Sequence, residues 1–298
     1  MKEYSFTLAY ILLNGLSVLV INLVGNNIPI DAMIMLSSLY ALVFFHMLNL
    51  SGLKALYKKL YENKALYLTM IVVFLIMWLV CFIIPIYYTP AILMFYATAW
   101  PSFFGAMKKY KDSREKSSQY MAIAIAATML SFYIFLSNIY HGMDFIILIA
   151  GTLLAGITMF LYSKLSFDMN NMGFTPSQIL ASRFALLFLL PLLWCFKSGS
   201  IYEIDLNIAG LSLVVSLASL ILPIYCSQIS IKKVGPVNHS IAMGLTPFVA
   251  FVFEYFHLDD HGAISYDGYF SFILMLIIIA FPLTTIVRNR ALKRDQAL

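Results

Sequence analysis

The sequence predicts an all-α membrane protein of ten transmembrane helices in two inverted five-helix repeats. Three observations predict it. Of 298 residues 62% are hydrophobic and only 11% charged, against roughly 25% charged in a soluble domain, so the chain cannot cover itself with polar surface. Its apolar residues fall into runs of the length that crosses about 30 Å of hydrocarbon at about 1.5 Å per residue. The punctuation of those runs recurs after about 146 residues.

The runs lie at 6–24, 32–52, 65–84, 88–107, 119–137, 145–163, 177–196, 206–230, 237–256 and 269–287. Continuous apolar runs of this length exclude a membrane β-barrel, whose strands alternate polar and apolar over about ten residues. Run one follows Lys2 but lacks an A-x-A cleavage site, so it reads as a first span and not a signal peptide. The span at 177–196 opens with "TPSQ", in which Thr175 caps, Pro176 suits the first turn and Gln178 reaches back. Cys81, Cys195 and Cys226 sit in three different spans and read as packing residues.

Charge orients the chain. Ten spans put both termini and every even-to-odd loop on one side, which holds seventeen of the nineteen lysines and arginines; Lys197 is opposite and Arg183 lies within a span. The positive-inside rule makes the termini cytoplasmic, in the cell (inner) membrane. Basic loops beside anionic lipid account for the net charge of +5 without a nucleic-acid partner. Asp31, Asp144, Glu203, Asp205, Asp259, Asp260 and Asp267 cluster toward the other side and read as solvated loop charges.

The repeat divides the chain into 1–138 and 139–298, with Pro90 on Pro236, Pro101 on Pro247, and Ser37-Ser38 on Ser182-Arg183 after a small slip. Five spans per unit make the second unit enter from the opposite side, an arrangement recurrent in secondary transporters, whose substrate site lies between the halves. In span four Pro90, Met94, Thr98, Pro101 and Gly105 form one stripe, answered by Pro236, Ser240, Gly244, Pro247 and Phe251 in span nine. Small residues let backbones approach, and prolines free carbonyls for a neighbour or water. Pro101 and Pro247 are the expected kink or gating positions.

The five-plus-five arrangement resembles the drug/metabolite transporter superfamily, specifically its EamA-type members. The most specific stretch is 231–260, with "KKVGP", a span with a mid-helix proline, and "HLDD". The family usually has a leucine, a glycine and a glutamate after that span; here Leu258, Asp259 and Asp260 stand in their place. The resemblance implies cavity walls from spans one, three, four, six, eight and nine. It also implies transport of amino acids, related metabolites or toxic compounds, with export first.

Candidate substrate-binding residues follow from polar or aromatic groups that hydrocarbon does not satisfy. Asn14 and Gln228 are amides within spans, and Asn22 is a third; each needs a partner helix, water or ligand. Trp78, Tyr96, Trp100 and Tyr225 join broad apolar faces to a polar handle away from the interfacial belts. Arg183, about seven residues into span seven, costs roughly 2.5–3.5 kcal/mol at a span centre unless compensated. It binds an anionic group, or snorkels to the interface. His239 suits cargo binding or proton coupling, or satisfies local backbone; Glu254 is the leading coupling candidate.

No G-x-S-x-G, H-E-x-x-H, Walker A or dinucleotide motif is present, so no enzyme is expected, and neither cofactor nor metal is called for. "HLDDH" at 257–261 reads as an outer loop. The expected partners are a small-molecule substrate and the lipid bilayer, with a homodimer compatible. The expected activity is alternating-access transport of small amphipathic metabolites. Uptake of a larger nucleotide-like metabolite, and a non-transporting membrane enzyme or assembly factor, stay open as alternatives.

Overall fold

The computed structural model describes residues 4–88 and 90–258. Span ten, the acids at 259, 260 and 267, and the side chain of Glu254 lie outside the described residues. Within them the secondary structure is helical throughout, without a strand. Seven helical segments are long and apolar enough to cross a membrane. They correspond to α1 (Ser5–Gly25), α2 (Ile30–Met47), α4 (Lys64–Tyr87), α6 (Lys116–Leu136), α7 (Gly142–Asn171), the pair α8 (Pro176–Ala181) and α9 (Phe184–Ser198), and the pair α10 (Leu206–Val215) and α11 (Leu222–Val234). Two further segments complete the described bundle. These are α5 (Pro90–Ser113), which ends in basic residues, and the pair α12 (Pro236–Met243) and α13 (Thr246–Leu258).

Leu12, Leu68, Leu130, Leu193 and Trp194 are among many large apolar side chains left exposed, whereas Ser37, Ser38, Ser212, Ser216, Ser227 and Ser240 are buried. That inversion of the soluble pattern suits lipid outside and helix contacts inside. The protein is accordingly a multi-pass helical membrane protein. The sequence did not anticipate α3 (Leu53–Glu62), a short helix that buries Leu56 and Leu60 and exposes Tyr57 and Tyr61. With Lys54, Lys58 and Lys59 on so short an amphipathic helix, it fits the interface and not the hydrocarbon.

Breaks within the segments have local causes. Pro176 starts α8 inside the capping box expected at Thr175, with the Gln178 N–H donating to Thr175 Oγ1 at 3.3 Å and the Thr175 N–H to Gln178 Oε1 at 3.0 Å. The helix then breaks at Ser182–Arg183. A π-helical turn, Ser216–Ile221, precedes Pro223, where a ring without an N–H would collide with the carbonyl four residues back in regular helix. Between α12 and α13 the Gly244 N–H donates to the Ile241 carbonyl at 3.2 Å, so the Ser240 carbonyl loses its helical donor. The Ser102 hydroxyl of α5 donates to it at 2.9 Å. Pro247 lies just beyond this break, while α5 continues through Pro101.

Packing is built on antiparallel and parallel pairs. Helix α2 runs antiparallel to α8–α9: Asp31 meets Ser198 and Ser200 at one end, Ser38 meets the Leu187 carbonyl in the middle, and Asn49 meets Ser177 at the other. Helix α5 runs antiparallel to α12, with Ser102 at Ser240 and Gly105 at Val237. Two parallel pairs are seated on glycine. A Cβ on Gly15 of α1 would stand 2.7 Å from Val249 of α13, and one on Gly156 of α7 would stand 2.3 Å from the Trp100 Cβ of α5. Only a glycine admits such approaches. Lys59 lies over Phe174 and Lys233 over Phe6, which gathers the basic turns at one end of the bundle.

Asp31 corrects the reading of the acids as solvated loop charges. It is buried, and its carboxylate accepts from Ser198, from Ser200 at 2.7 Å and from the Ala32 N–H at 2.9 Å. A short acidic side chain at a helix start satisfies orphan donors there and is drawn in by hydroxyls across the interface.

Candidate functional site

A narrow cavity lies where α1, α4, α5, α7, α11 and α12 meet. These belong to spans one, three, four, six, eight and nine, the set the resemblance implies for walls. Its volume is about 20 Å³, room for roughly one or two waters and not for a metabolite.

The wall is apolar and adaptable. Met77, Met94, Met159 and Met243 come from four different helices and stand beside Trp78, Tyr10 and Tyr162. Unbranched thioethers change rotamer easily and repack around differing shapes. Polar groups enter singly. The Asn14 amide donates to the Met94 sulfur at 3.6 Å, a weak acceptor. His239 is buried, with Nε2 at 3.1 Å from the Ser227 hydroxyl and Nδ1 at 2.9 Å from that of Ser230, which in turn contacts Thr7 at 2.6 Å. The imidazole therefore bonds two hydroxyls of α11 and not the local backbone, and its ring lies 5.1 Å from that of Tyr10. Asn238, by contrast, donates to the Val234 carbonyl.

Behind the wall sits Arg183, fully buried at the break between α8 and α9. It does not reach the interface. Its guanidinium lies 4.6 Å from the Phe74 ring, 4.7 Å from Tyr162 and 5.9 Å from Phe184. None of its nitrogens has a hydrogen-bond partner among the described residues; the Tyr162 hydroxyl is beside it without hydrogen-bond geometry. That hydroxyl donates to Gln228 Oε1 at 3.2 Å, while Gln228 Nε2 is unpaired.

The structure thus brings Asn14, Trp78 and His239 to the cavity wall and sets Arg183 and Gln228 one side chain behind it, through Tyr162. Three other candidate residues stand elsewhere. Tyr96 is buried between α5 and α6, its ring 4.1 Å from that of Tyr133 and its hydroxyl donating to the Met129 carbonyl at 3.4 Å. Trp100 packs on Gly156 and stacks with Phe104. Tyr225 is turned outward, 38% exposed, because Ile224 and Gln228 take the inward positions of α11. Asn22 donates to the Pro85 carbonyl of α4, an orphan of that helix's last turn, and is an interhelical tie. Tyr10, Tyr162 and Ser227 escaped the sequence reading, since one tyrosine among nineteen or one serine near Gln228 carries no distinguishing pattern.

A wider groove of about 420 Å³ opens at the end remote from the basic turns, lined by Tyr87, Tyr88, Tyr140 and Asp144. There burial and then nearby Asp144 push the Tyr88 phenol above its usual range. None of the unpaired buried polar side-chain atoms of the described residues lies in this groove. The narrow cavity is the better candidate, because polar groups from five of its six helices converge on it.

Fold and cavity together define a multi-pass helical membrane protein with an internal, neutral-walled junction. No protein-family model matches the chain, and no curated protein matches it significantly. Among the described residues no cluster of three or more histidines, cysteines or acids is placed to hold a metal ion, and Cys81, Cys195 and Cys226 are free thiols.

Proposed function

We propose that the chain is a secondary transporter of small amphipathic metabolites, amino acids or related compounds first, built as two inverted five-span repeats of the EamA type. Termini on the cytoplasmic side and outward transport complete the reading. The observation that carries it is the cavity at the junction of six helices, three from each proposed half.

Packing supports the inverted arrangement. Corresponding spans two and seven meet antiparallel, as do four and nine. The span-one contact with span nine answers the span-six contact with span four, each running parallel and each seated on a glycine. Such exchange of partners is what a pseudo-two-fold axis in the membrane plane produces.

With room for only waters, the cavity suits an occluded form, and cargo enters when the halves part at one end. The wall's methionines and aromatic rings favour an apolar body, and its amide and hydroxyls favour a polar head. The hydroxyl chain Thr7–Ser230–His239–Ser227 supports His239 as the coupling residue if protons drive transport.

Counterflow into proteoliposomes with a panel of labelled amino acids and related metabolites tests the proposal. Saturable exchange of at least one is expected. A panel with no flux above protein-free vesicles sinks it.

A further inference from the structure

The unpaired buried nitrogens around Tyr162 share one chemical character. Arg183 Nε, Nη1 and Nη2, Gln228 Nε2 and Trp78 Nε1 are all donors, and all are buried without a partner among the described residues. They are contiguous. Arg183 and Trp78 both contact the Phe74 ring, Arg183 also contacts Tyr162, and Tyr162 bonds Gln228. A buried guanidinium held only by ring faces lacks the counter-charge that a low-dielectric surrounding makes necessary. Hydroxyls or waters offer donors as well as acceptors. An ionised carboxylate offers acceptors alone, about four lone-pair sites on two oxygens, and the matching charge.

We propose that these donors form a subsite for a carboxylate carried by the cargo, with Arg183 as its counter-ion. The inference rests on the transport reading and narrows the substrate class to amphipaths with a carboxylate head and an apolar body. Trp78 belongs to both the cavity wall and the donor cluster, and Tyr162 of the wall contacts Arg183 and bonds Gln228, so turning the phenol away from Gln228 joins the cluster to the cavity. The carboxylate then lies toward Arg183, and the body stays among the methionines.

The test uses the full chain in lipid nanodiscs, in chloride-free buffer, titrated with 3-phenylpropionate and with its uncharged amide. Thermal shift and tryptophan fluorescence report binding. The carboxylate is expected to bind at least about tenfold more tightly than the amide, a loss typical of a charge-assisted hydrogen-bond pair, and Arg183→Gln is expected to abolish the preference. Equal binding of the two, no binding of the carboxylate, or a preference that survives Arg183→Gln overturns the subsite. If Arg183→Gln does not fold, Gln228→Leu carries the test: the preference shrinks several-fold, and an unchanged preference overturns the proposal. Chloride alone reproducing the shift and competing with 3-phenylpropionate assigns the site to an inorganic counter-ion and also overturns it. Counterflow separates the two readings. Arg183-dependent carboxylate binding without flux of any solute removes the transport function and leaves the subsite, whereas flux without carboxylate preference does the reverse.

Discussion

The seam between α2 and α8–α9 and the six-helix junction are both polar regions buried in the same bundle, yet they are finished differently. Along the seam Asp31, Ser38 and Asn49 all have hydrogen-bond partners. Ser38 Oγ lies 2.7, 2.9 and 3.0 Å from the carbonyls of Ile34, Met35 and Leu187, and beside the seam the Ser37 hydroxyl donates to the Ser212 carbonyl of α10 while the Ser37 carbonyl accepts from the Ser216 hydroxyl of the π-helical turn. Around the junction donors outnumber acceptors, and the apolar wall is made of methionines. In the proposed repeat register Ser38 and Arg183 correspond, which sharpens the contrast. A satisfied polar seam holds one geometry, and an unsatisfied one surrounded by flexible side chains is suited to a ligand and to movement.

Four variants test that contrast. The largest effect is expected from Gly156→Leu. The Trp100 Cβ already stands where a Cβ would go, so the α5–α7 contact must part at a cost of about 3 kcal/mol. Loss of monodisperse protein on size exclusion reports it, and a variant as stable as wild type refutes the close approach. Asp31→Ala ranks second. It removes the acceptor shared by Ser198 and Ser200, and about 2 kcal/mol is expected from hydrogen bonds to a charged group. Its melting temperature should fall clearly below that of Asp31→Asn, which keeps one acceptor. An equal fall for both substitutions assigns the loss to charge alone.

Ser38→Ala comes third, at about 1 kcal/mol, in the range measured for interhelical bonds within membranes. Hydrogen exchange at α2 and α9 amides is the sensitive measurement, and protection unchanged in both helices places the seam's strength elsewhere. The smallest change in stability is expected from Met94→Leu with Met159→Leu, about 1 kcal/mol or less for volume-conserving swaps. Both residues line the cavity, so the double variant should exchange fewer kinds of solute in counterflow while melting near wild type. An unaltered solute range removes the argument from methionine adaptability.

Much of the architecture was legible along the chain because hydrocarbon imposes a length and turns impose residue types. "TPSQ" folds as the capping box it spells, and the described apolar runs are helical. The amphipathic α3 was hidden inside a basic loop, where four lysines between residues 54 and 64 masked the buried Leu56 and Leu60. Asp31 looked like a surface charge because its partners, Ser198 and Ser200, lie far along the chain. Trp100 and Tyr225 looked like wall residues because position along a helix says nothing about rotation about its axis when every face is apolar. Asn14, Trp78 and His239 share the wall only through the way α1, α4 and α12 rotate against one another.

The sequence by itself determined that this is a multi-pass helical protein with one basic end, since hydrophobic length and lysine placement are local properties that lipid reads directly. Only the tertiary structure decided which polar atoms go unpaired. Pairing depends on helices far apart in the chain, and the cluster of donors around Tyr162 exists because α4, α7, α9 and α11 meet there without giving the Arg183 nitrogens a hydrogen bond among the described residues.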